Sequence, residues 1–197
     1  MGVIQFLVEQ SGNPSGFIGK LLLNTMDMAH GNVIKKALEP IRHDRSYSVL
    51  DIGCGSGYAL KIMNSQFHDS CLHGTDISET CVREAELKNR KALHNNSFDI
   101  RLGNVATLFH ESNSMDLVTA FQTHYFWPDI HQACREIQRV LKPNGLFILC
   151  GDLYKMKYHL SDRYQFIEEY PELLKEEGFS QIEIFAYHGF MIARSVK

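Results

Sequence analysis

The sequence predicts an α/β fold, a three-layer sandwich in which a mostly parallel sheet lies between two layers of helices. Short apolar and β-branched runs alternate with helical stripes along residues 49–196, which is typical of strand–helix–strand units. The first run, V-L-D-I at residues 49–52, passes into glycines at alternate positions, Gly53, Gly55 and Gly57, before a helical stripe begins. A strand, a tight glycine turn and a helix in this order predict a ligand site at the turn.

The remaining elements follow from periodicity and turn residues. Apolar residues at helical spacing predict helices over 59–67 and 78–92, the second with Ser78 as its N-cap. The clearest helical stripe covers 130–141 and ends at the turn K-P-N-G. Alternating runs on either side of His188-Gly189 predict a terminal antiparallel hairpin. Strands are predicted at 49–52, 71–76, 97–102, 115–121, 146–150, 182–186 and 190–196, with a loop over 151–163 and a helix over 164–177 that breaks at Pro171.

Residues 1–45 precede the first strand and are predicted to form an arm and two cap helices. Glycines and a proline interrupt the first sixteen residues, whereas 17–29 and 32–38 have helical spacing and Pro40 stops the second helix. These helices could cover the sheet edge, fold over the ligand site, or do both. The second arrangement would bring His30 towards the site. We expect a single domain over 1–197, with 46–197 as its ligand-binding core.

Length and composition are those of an ordinary globular protein. The chain has 197 residues, 44% of them apolar, and a net charge of −3, with no basic stripe for nucleic-acid phosphates. Its five cysteines form no C-x-x-C pair and its ten histidines show no metal-ligand spacing. There is no signal-peptide pattern and no apolar run of about 18 residues. We therefore expect reduced thiols, a cytoplasmic location, and neither a metal, nor nucleic acid, nor a membrane as partner.

The glycine turn is compatible with two kinds of cofactor. A dinucleotide fingerprint, G-x-G-x-x-G, would require a third glycine where this chain has Tyr58. The strand also ends in Asp51, whose carboxylate would repel a pyrophosphate and attract an ammonium group. The pattern disfavours a nicotinamide-dependent oxidoreductase, and a glycine-rich turn without a ligand remains as the simplest alternative.

The stretch V-L-D-I-G-C-G-S-G resembles the first motif of class I S-adenosylmethionine (SAM)-dependent methyltransferases. R-V-L-K-P-N-G-L-F, at 139–147, resembles a turn that follows their catalytic motifs, and G-N-P-S-G-F-I-G-K, at 12–20, is similar to small single-domain bacterial members of the methyltransferase-11 type. The resemblance covers about residues 45–197. It implies a Rossmann-like, seven-stranded sheet ordered 3-2-1-4-5-7-6 with the last strand antiparallel, SAM as cofactor and S-adenosylhomocysteine (SAH) as product.

Asp76 is the second candidate acid, at the end of the predicted second strand. A strand-end carboxylate about 20 residues beyond a glycine turn can accept hydrogen bonds from both ribose hydroxyls; its alternative role is that of a turn or cap residue. Asn104 stands where the family commonly has an acid that binds the adenine amino group, so its contact should be weaker. The resemblance implies a cofactor-binding set of Asp51, Gly53, Cys54, Gly55, Tyr58, Asp76, Ile77, Asn104, Val105, Phe121 and Gln122.

The catalytic candidates lie in Q-T-H-Y-F-W-P, which follows the fourth predicted strand. Loops at the carboxyl ends of parallel strands are where open α/β sheets place function, so His124 and Tyr125 are the candidates for a base or an acceptor-orienting group. The alternative is that these aromatic residues only pack under the next helix. The loop does not read D/N-P-P-Y, which argues against amino methylation of a nucleic-acid base.

The sequence thus predicts transfer of a methyl group from SAM to a small-molecule acceptor by in-line displacement. Orientation alone can supply roughly 7–11 kcal/mol of such a reaction, and a general base typically adds 10²–10⁴-fold. Two alternatives stay open: a protein or RNA acceptor, and a SAM-binding protein without catalysis. The sequence does not specify the acceptor or the oligomeric state.

Overall fold

The computed structural model describes residues 30–93, 98–160 and 163–197. They form a seven-stranded sheet in the order β3-β2-β1-β4-β5-β7-β6. β7 runs antiparallel to β5 and β6, and the other neighbouring strands are parallel, so the predicted order is confirmed. The strands are β1 Ser48–Ile52, β2 Cys71–Asp76, β3 Phe98–Leu102, β4 Met115–Phe121, β5 Leu141–Asp152, β6 Ser180–Tyr187 and β7 Phe190–Val196.

Helices cover both faces of this sheet. Buried side chains of α1, α2 and α3 pack on one face, and those of α4, α5 and α6 pack on the other. Because both faces are covered, the central strands β1 and β4 are almost wholly buried and mostly apolar, as expected for parallel strands. The helices are α1 (residues 30–38), α2 Tyr58–Gln66, α3 Glu79–Asn89, α4 Ile130–Val140, α5 Leu153–His159 and α6 Tyr170–Glu176.

The structure departs from the predicted elements in several places, among them the predicted turn K-P-N-G, which lies within β5, and the predicted helix over 164–177, which begins at Tyr170. α5 lies in the predicted loop over 151–163, because Asp152 Oδ1 caps the backbone N–H groups of Tyr154 and Lys155. Pro171 does not break a helix; it lies in the first turn of α6, where its missing N–H costs nothing. α1 is already helical at residue 30, before its predicted start, and α3 ends at Asn89. The predicted helix over 17–29 lies outside the described residues.

α1 is fixed to the sheet by a buried arginine of β7. Arg194 Nη2 and Nε donate to the backbone oxygens of Lys36 (2.7 Å) and Ala37 (3.2 Å), two carbonyls in the last turn of the helix. The other end of α1 faces the glycine turn, where a side chain at Gly31 would meet the Tyr58 ring. α1 therefore spans from β7 to the first turn of α2. Within the described parts of the chain, no helix has both the length and the apolar character needed to cross a bilayer.

Candidate functional site

A cavity of about 410 Å³ opens at the carboxyl ends of the central strands. This volume is in the range of small-molecule sites, and the position, beside the first glycine turn, is where doubly wound sheets bind ligands. The predicted residues that line it are Gly53, Asp76, Ile77, Asn104 and Val105. These five come from three separate stretches of the sequence, and the parallel strands bring them to one edge.

Asp76 is the acid of the cavity wall. Its Oδ2 accepts from the backbone N–H of Gly55 and its Oδ1 from that of Ser78, both at 2.9 Å. Burial raises the pKa of this carboxyl, and the two backbone donors act against that rise. Each carboxylate oxygen retains a second lone pair, so the group can still accept hydrogen bonds from a ligand diol.

The glycine turn is tied by hydrogen bonds to the end of β2. Gly53 and Cys54 both donate to the backbone oxygen of Thr75, at 2.8 and 3.0 Å, and Gly55 donates to Asp76. Gly53 has a φ of +67°, and an added Cβ would lie 2.2 Å from Thr123 Oγ1. Because Gly53 has no side chain, the backbone of the turn can come close to a ligand in the cavity.

Asp51 precedes the lining residues Ile52 and Gly53; it is almost fully buried and is not itself among the lining residues. Its Oδ1 accepts from the Thr119 hydroxyl of β4 at 2.7 Å. Burial raises the pKa of Asp51 to about 7; the Thr119 hydrogen bond opposes the rise and the nearby Asp76 charge adds to it. Asp51 can thus change its charge near neutral pH. Thr119 was not among the predicted site residues, because its pairing depends on strand register (Asp51 opposite Thr119).

The β2 and β3 tips form an apolar end of the cavity with polar atoms at its edge. Ile77 is 67% exposed and forms a solvent-facing part of the cavity wall, whereas Val105 is buried and forms an enclosed part. Asn104 Oδ1 accepts from the Ala106 backbone N–H at 2.9 Å, which occupies part of the acceptor capacity that we assigned to adenine. Thr75 Oγ1 is buried at the cavity wall and, among the described residues, has no hydrogen-bond partner.

Several predicted cofactor residues lie behind the described lining. The Cys54 side chain is buried against Gly74, and the Tyr58 ring lies between Gly31 of α1 and Lys88 of α3. Phe121 is half-buried at the end of β4 and packs against the core. Their contact with a cofactor stays a prediction.

Gln122 connects the ends of β4 and β5. Its Oε1 accepts from the Asp152 backbone N–H (2.8 Å) and from the Tyr125 hydroxyl (3.2 Å), and its Nε2 contacts Cys150 Sγ (3.6 Å). With φ at +61°, it turns its side chain into the protein. In these contacts Gln122 holds neighbouring residues of the site in place and does not itself line the cavity.

His124 is buried away from the cavity lining. Its Nε2 lies 2.8 Å from Tyr170 Oη, and because that hydroxyl donates to the Tyr164 backbone oxygen, Nε2 is the protonated nitrogen. Burial lowers the pKa of His124 to about 3, so its imidazole is neutral. An added Cβ at Gly151 would lie 2.3 Å from its ring. These contacts favour packing, and the predicted role of His124 as a base stays a prediction.

Tyr125 is likewise buried, and burial raises the pKa of its phenol far above the usual value. It nevertheless supports a residue that does line the cavity, since its ring stacks on His159 with centroids 5.5 Å apart and an angle of 11°. His159, Phe126, Trp127 and Thr123 line the β4–β5 side of the cavity and were not among the predicted site residues. His159 lies in the segment that the sequence predicts as a loop over 151–163. It reaches the cavity because α5 forms in that segment.

The residues present fit SAM. The turn leaves a cradle that a side chain at Gly53 would fill, Asp76 can accept from a ribose, and Thr75 Oγ1 offers an unpaired polar atom in an otherwise largely apolar cavity. Within the described ranges, no group of three or more His, Cys, Asp or Glu side chains is arranged to hold a metal. Sheet order, glycine turn and strand-end acids together define a class I SAM-dependent methyltransferase.

The chain belongs to the methyltransferase domain family, whose model matches residues 50–149, just over half of its length. It is 29% identical over 103 residues to the uncharacterized methyltransferase YdaC of Bacillus subtilis, which covers 51% of this chain and 54% of that protein. The matched part of the chain spans about a third to a half of the length of the curated relatives.

Solved structures share the fold. A SAM-dependent methyltransferase from Methanococcus maripaludis superposes with a TM-score of 0.72 at 21% identity, over 94% of this chain and 95% of that one. A methyltransferase in complex with the Trm112 methyltransferase activator of Haloferax volcanii gives 0.74 at 23% identity, over 88% and 92%. At these identities the likeness extends to the fold alone.

Proposed function

We propose that this protein binds SAM in the 410 Å³ cavity and transfers its methyl group to a small molecule. The observation that carries the proposal is Asp76, a buried, doubly anchored carboxylate in the cavity wall next to the glycine turn. When bound, SAM supplies a methyl group on a positively charged sulfur that is a good leaving group.

In this proposal each wall of the cavity has its own task. Asp76 accepts hydrogen bonds from the ribose hydroxyls, and its backbone donors favour its ionised form and orient it for them. Ile77 and Val105 pack against adenine. Asp51 faces the amino group of the methionine portion from below, in the way that the resemblance implies. Thr119 orients that carboxylate through their 2.7 Å hydrogen bond.

The proposed small-molecule acceptor rests on the size and lining of the cavity. Phe126 and Trp127 form an aromatic wall on the side opposite Asp76, which suits an apolar acceptor and excludes water from the reacting atoms. Excluding water matters because in-line transfer depends mainly on orientation. A protein or RNA acceptor is the alternative, and the second experiment below distinguishes it from a small molecule.

The first experiment is calorimetric titration with SAM, SAH and NADH. The proposal predicts saturable binding of SAM and SAH and none of NADH. Trp127, the single tryptophan of the chain, lines the cavity and should report the same binding by a change in fluorescence. Binding of NADH, or of none of the three, would contradict the proposal.

The second experiment identifies the acceptor class. Protein and methyl-labelled SAM are incubated with a cell extract divided by ultrafiltration into a small-metabolite and a macromolecular fraction. Label transferred within the small-metabolite fraction supports the proposal. Label only in the macromolecular fraction, removed by protease or by ribonuclease, would show a protein or an RNA acceptor, and transfer to neither would favour binding without catalysis.

A further inference from the structure

His159 is an ionisable side chain on the β4–β5 side of the cavity. It is the last residue of α5, which follows β5, whereas Asp76 is at the tip of β2. In the sheet order, β1 and β4 separate these two strands, so the two side chains line opposite ends of one cavity. If Asp76 holds the ribose, the end that remains for the acceptor is the one with His159.

The imidazole is held in a fixed orientation by aromatic rings. It stacks on Tyr125 and meets the edge of Phe126 at 4.9 Å and 68°. Tyr125 is fixed in turn by its hydrogen bond to Gln122, and α5 is fixed by the Asp152 cap. Among the described residues, none hydrogen-bonds to the His159 ring, so its nitrogens are available to a ligand.

The charged and ionisable groups around His159 favour its neutral form. Partial burial lowers its pKa, and the Lys155 charge one turn earlier in α5 lowers it further. Tyr125 and Tyr158, whose rings contact it, are phenols, and Asp76 is the acid that lines the cavity at its other end. At neutral pH the ring can therefore accept a proton.

We propose that His159 is the general base of the reaction, and that the acceptor is a flat, apolar molecule with a hydroxyl or amine group. The inference rests on the proposed function. The acceptor's lone pair forms the bond to the methyl carbon, the electron pair of the broken carbon–sulfur bond stays on the departing thioether, and the acceptor's proton passes to the imidazole. His159 is half-buried, so the proton can leave to solvent.

The first test needs no acceptor. Protein with ¹³C-labelled histidine is titrated by NMR between pH 5 and 8 in saturating SAM and, separately, in saturating SAH, and His159→Gln assigns the signal. SAM carries a sulfonium charge that SAH lacks, so a facing imidazole should titrate about 0.5–1.5 pH units lower with SAM. The other nine histidine signals should differ less between the two ligands.

Equal His159 midpoints with SAM and SAH, when calorimetry shows that both bind, would overturn the inference and leave the proposed function intact. Failure of both ligands to bind would overturn the two together.

The second test uses turnover with the labelled small-metabolite fraction. His159→Asn should lower the rate about 10²–10⁴-fold at pH 7, with recovery at higher pH as the acceptor ionises unaided, and should change SAH affinity less than threefold. The matched control is Phe166→Leu, which changes an exposed aromatic residue that follows α5 in the sequence. This variant should keep the wild-type rate. A wild-type rate and pH profile in His159→Asn would overturn the inference.

Discussion

Asp51 shows how one buried carboxyl can make the stability of this protein depend on pH. Its folded-state pKa is raised to about 7, whereas an aspartate in an unfolded chain titrates near 3.9. Between these values the folded state binds a proton that the unfolded state releases. The contribution of Asp51 to the free energy of unfolding should therefore fall as the pH rises from about 4 to 7 and level off above 7. His124, whose folded-state pKa is lowered to about 3, contributes in the opposite direction up to about pH 6.5, so the Asp51 contribution is read from the difference between variant and wild type.

The first prediction is that Asp51→Asn removes this contribution to the pH dependence and stabilises the ligand-free protein at pH 8. The gain is at most about 4 kcal/mol, the cost of ionising a group whose pKa is raised by about three units. Urea denaturation at several pH values measures it. Thr119→Ser, which keeps the hydroxyl donor, is the control and should retain the wild-type slope. An equal slope in Asp51→Asn would contradict the raised pKa.

At the scale of elements, His124 joins β4, β5 and α6. It contacts Gly151 of β5 and hydrogen-bonds Tyr170 of α6, which in turn holds the backbone of Tyr164. A group in such a position contributes to stability whether or not it has a catalytic role. The two roles separate when stability and turnover are measured on the same variants.

The second prediction is that His124→Gln and Tyr170→Phe each lower the free energy of unfolding by about 1–3 kcal/mol, because each leaves a buried group without its partner. The double variant should lose less than the sum, since both changes break one hydrogen bond. Affinity for SAH should change little. A His124→Gln protein of wild-type stability with turnover reduced more than 100-fold would instead support His124 as the base.

At the scale of the whole molecule, Arg194 connects α1 to the sheet through carbonyls 157 and 158 residues away in sequence. The third prediction is that Arg194→Met lowers the free energy of unfolding by about 2–3 kcal/mol and speeds hydrogen exchange of the amides in 30–38, since two charged hydrogen bonds are lost. Its partner Glu183 is largely exposed, so Glu183→Gln should cost less than about 1 kcal/mol. Equal effects of the two changes would contradict this account.

The sequence was sufficient to predict the sheet order and the acids at its edge. The alternation of strands and helices, with the resemblance, leads to one topology, and that topology brings Asp76, Ile77 and Val105 together without further information. The sequence was insufficient where contacts between distant segments of the chain determine the position of a site residue. The Thr75 carbonyl takes the N–H groups of the turn, the register pairs Asp51 with Thr119, and a single buried methionine, Met156, holds α5 on the core.

The central claim is that the carboxylate at the end of β2 holds the nucleoside of SAM, and calorimetry of Asp76→Asn with SAH tests it most directly. Loss of a charge-assisted contact should weaken SAH binding by about 1–3 kcal/mol, or roughly 5- to 150-fold. Asp99→Asn on β3, whose carboxylate pairs with Arg101 outside the cavity lining, should bind SAH as the wild type does. Unchanged affinity in a folded Asp76→Asn protein, or equal losses in both variants, would contradict the claim.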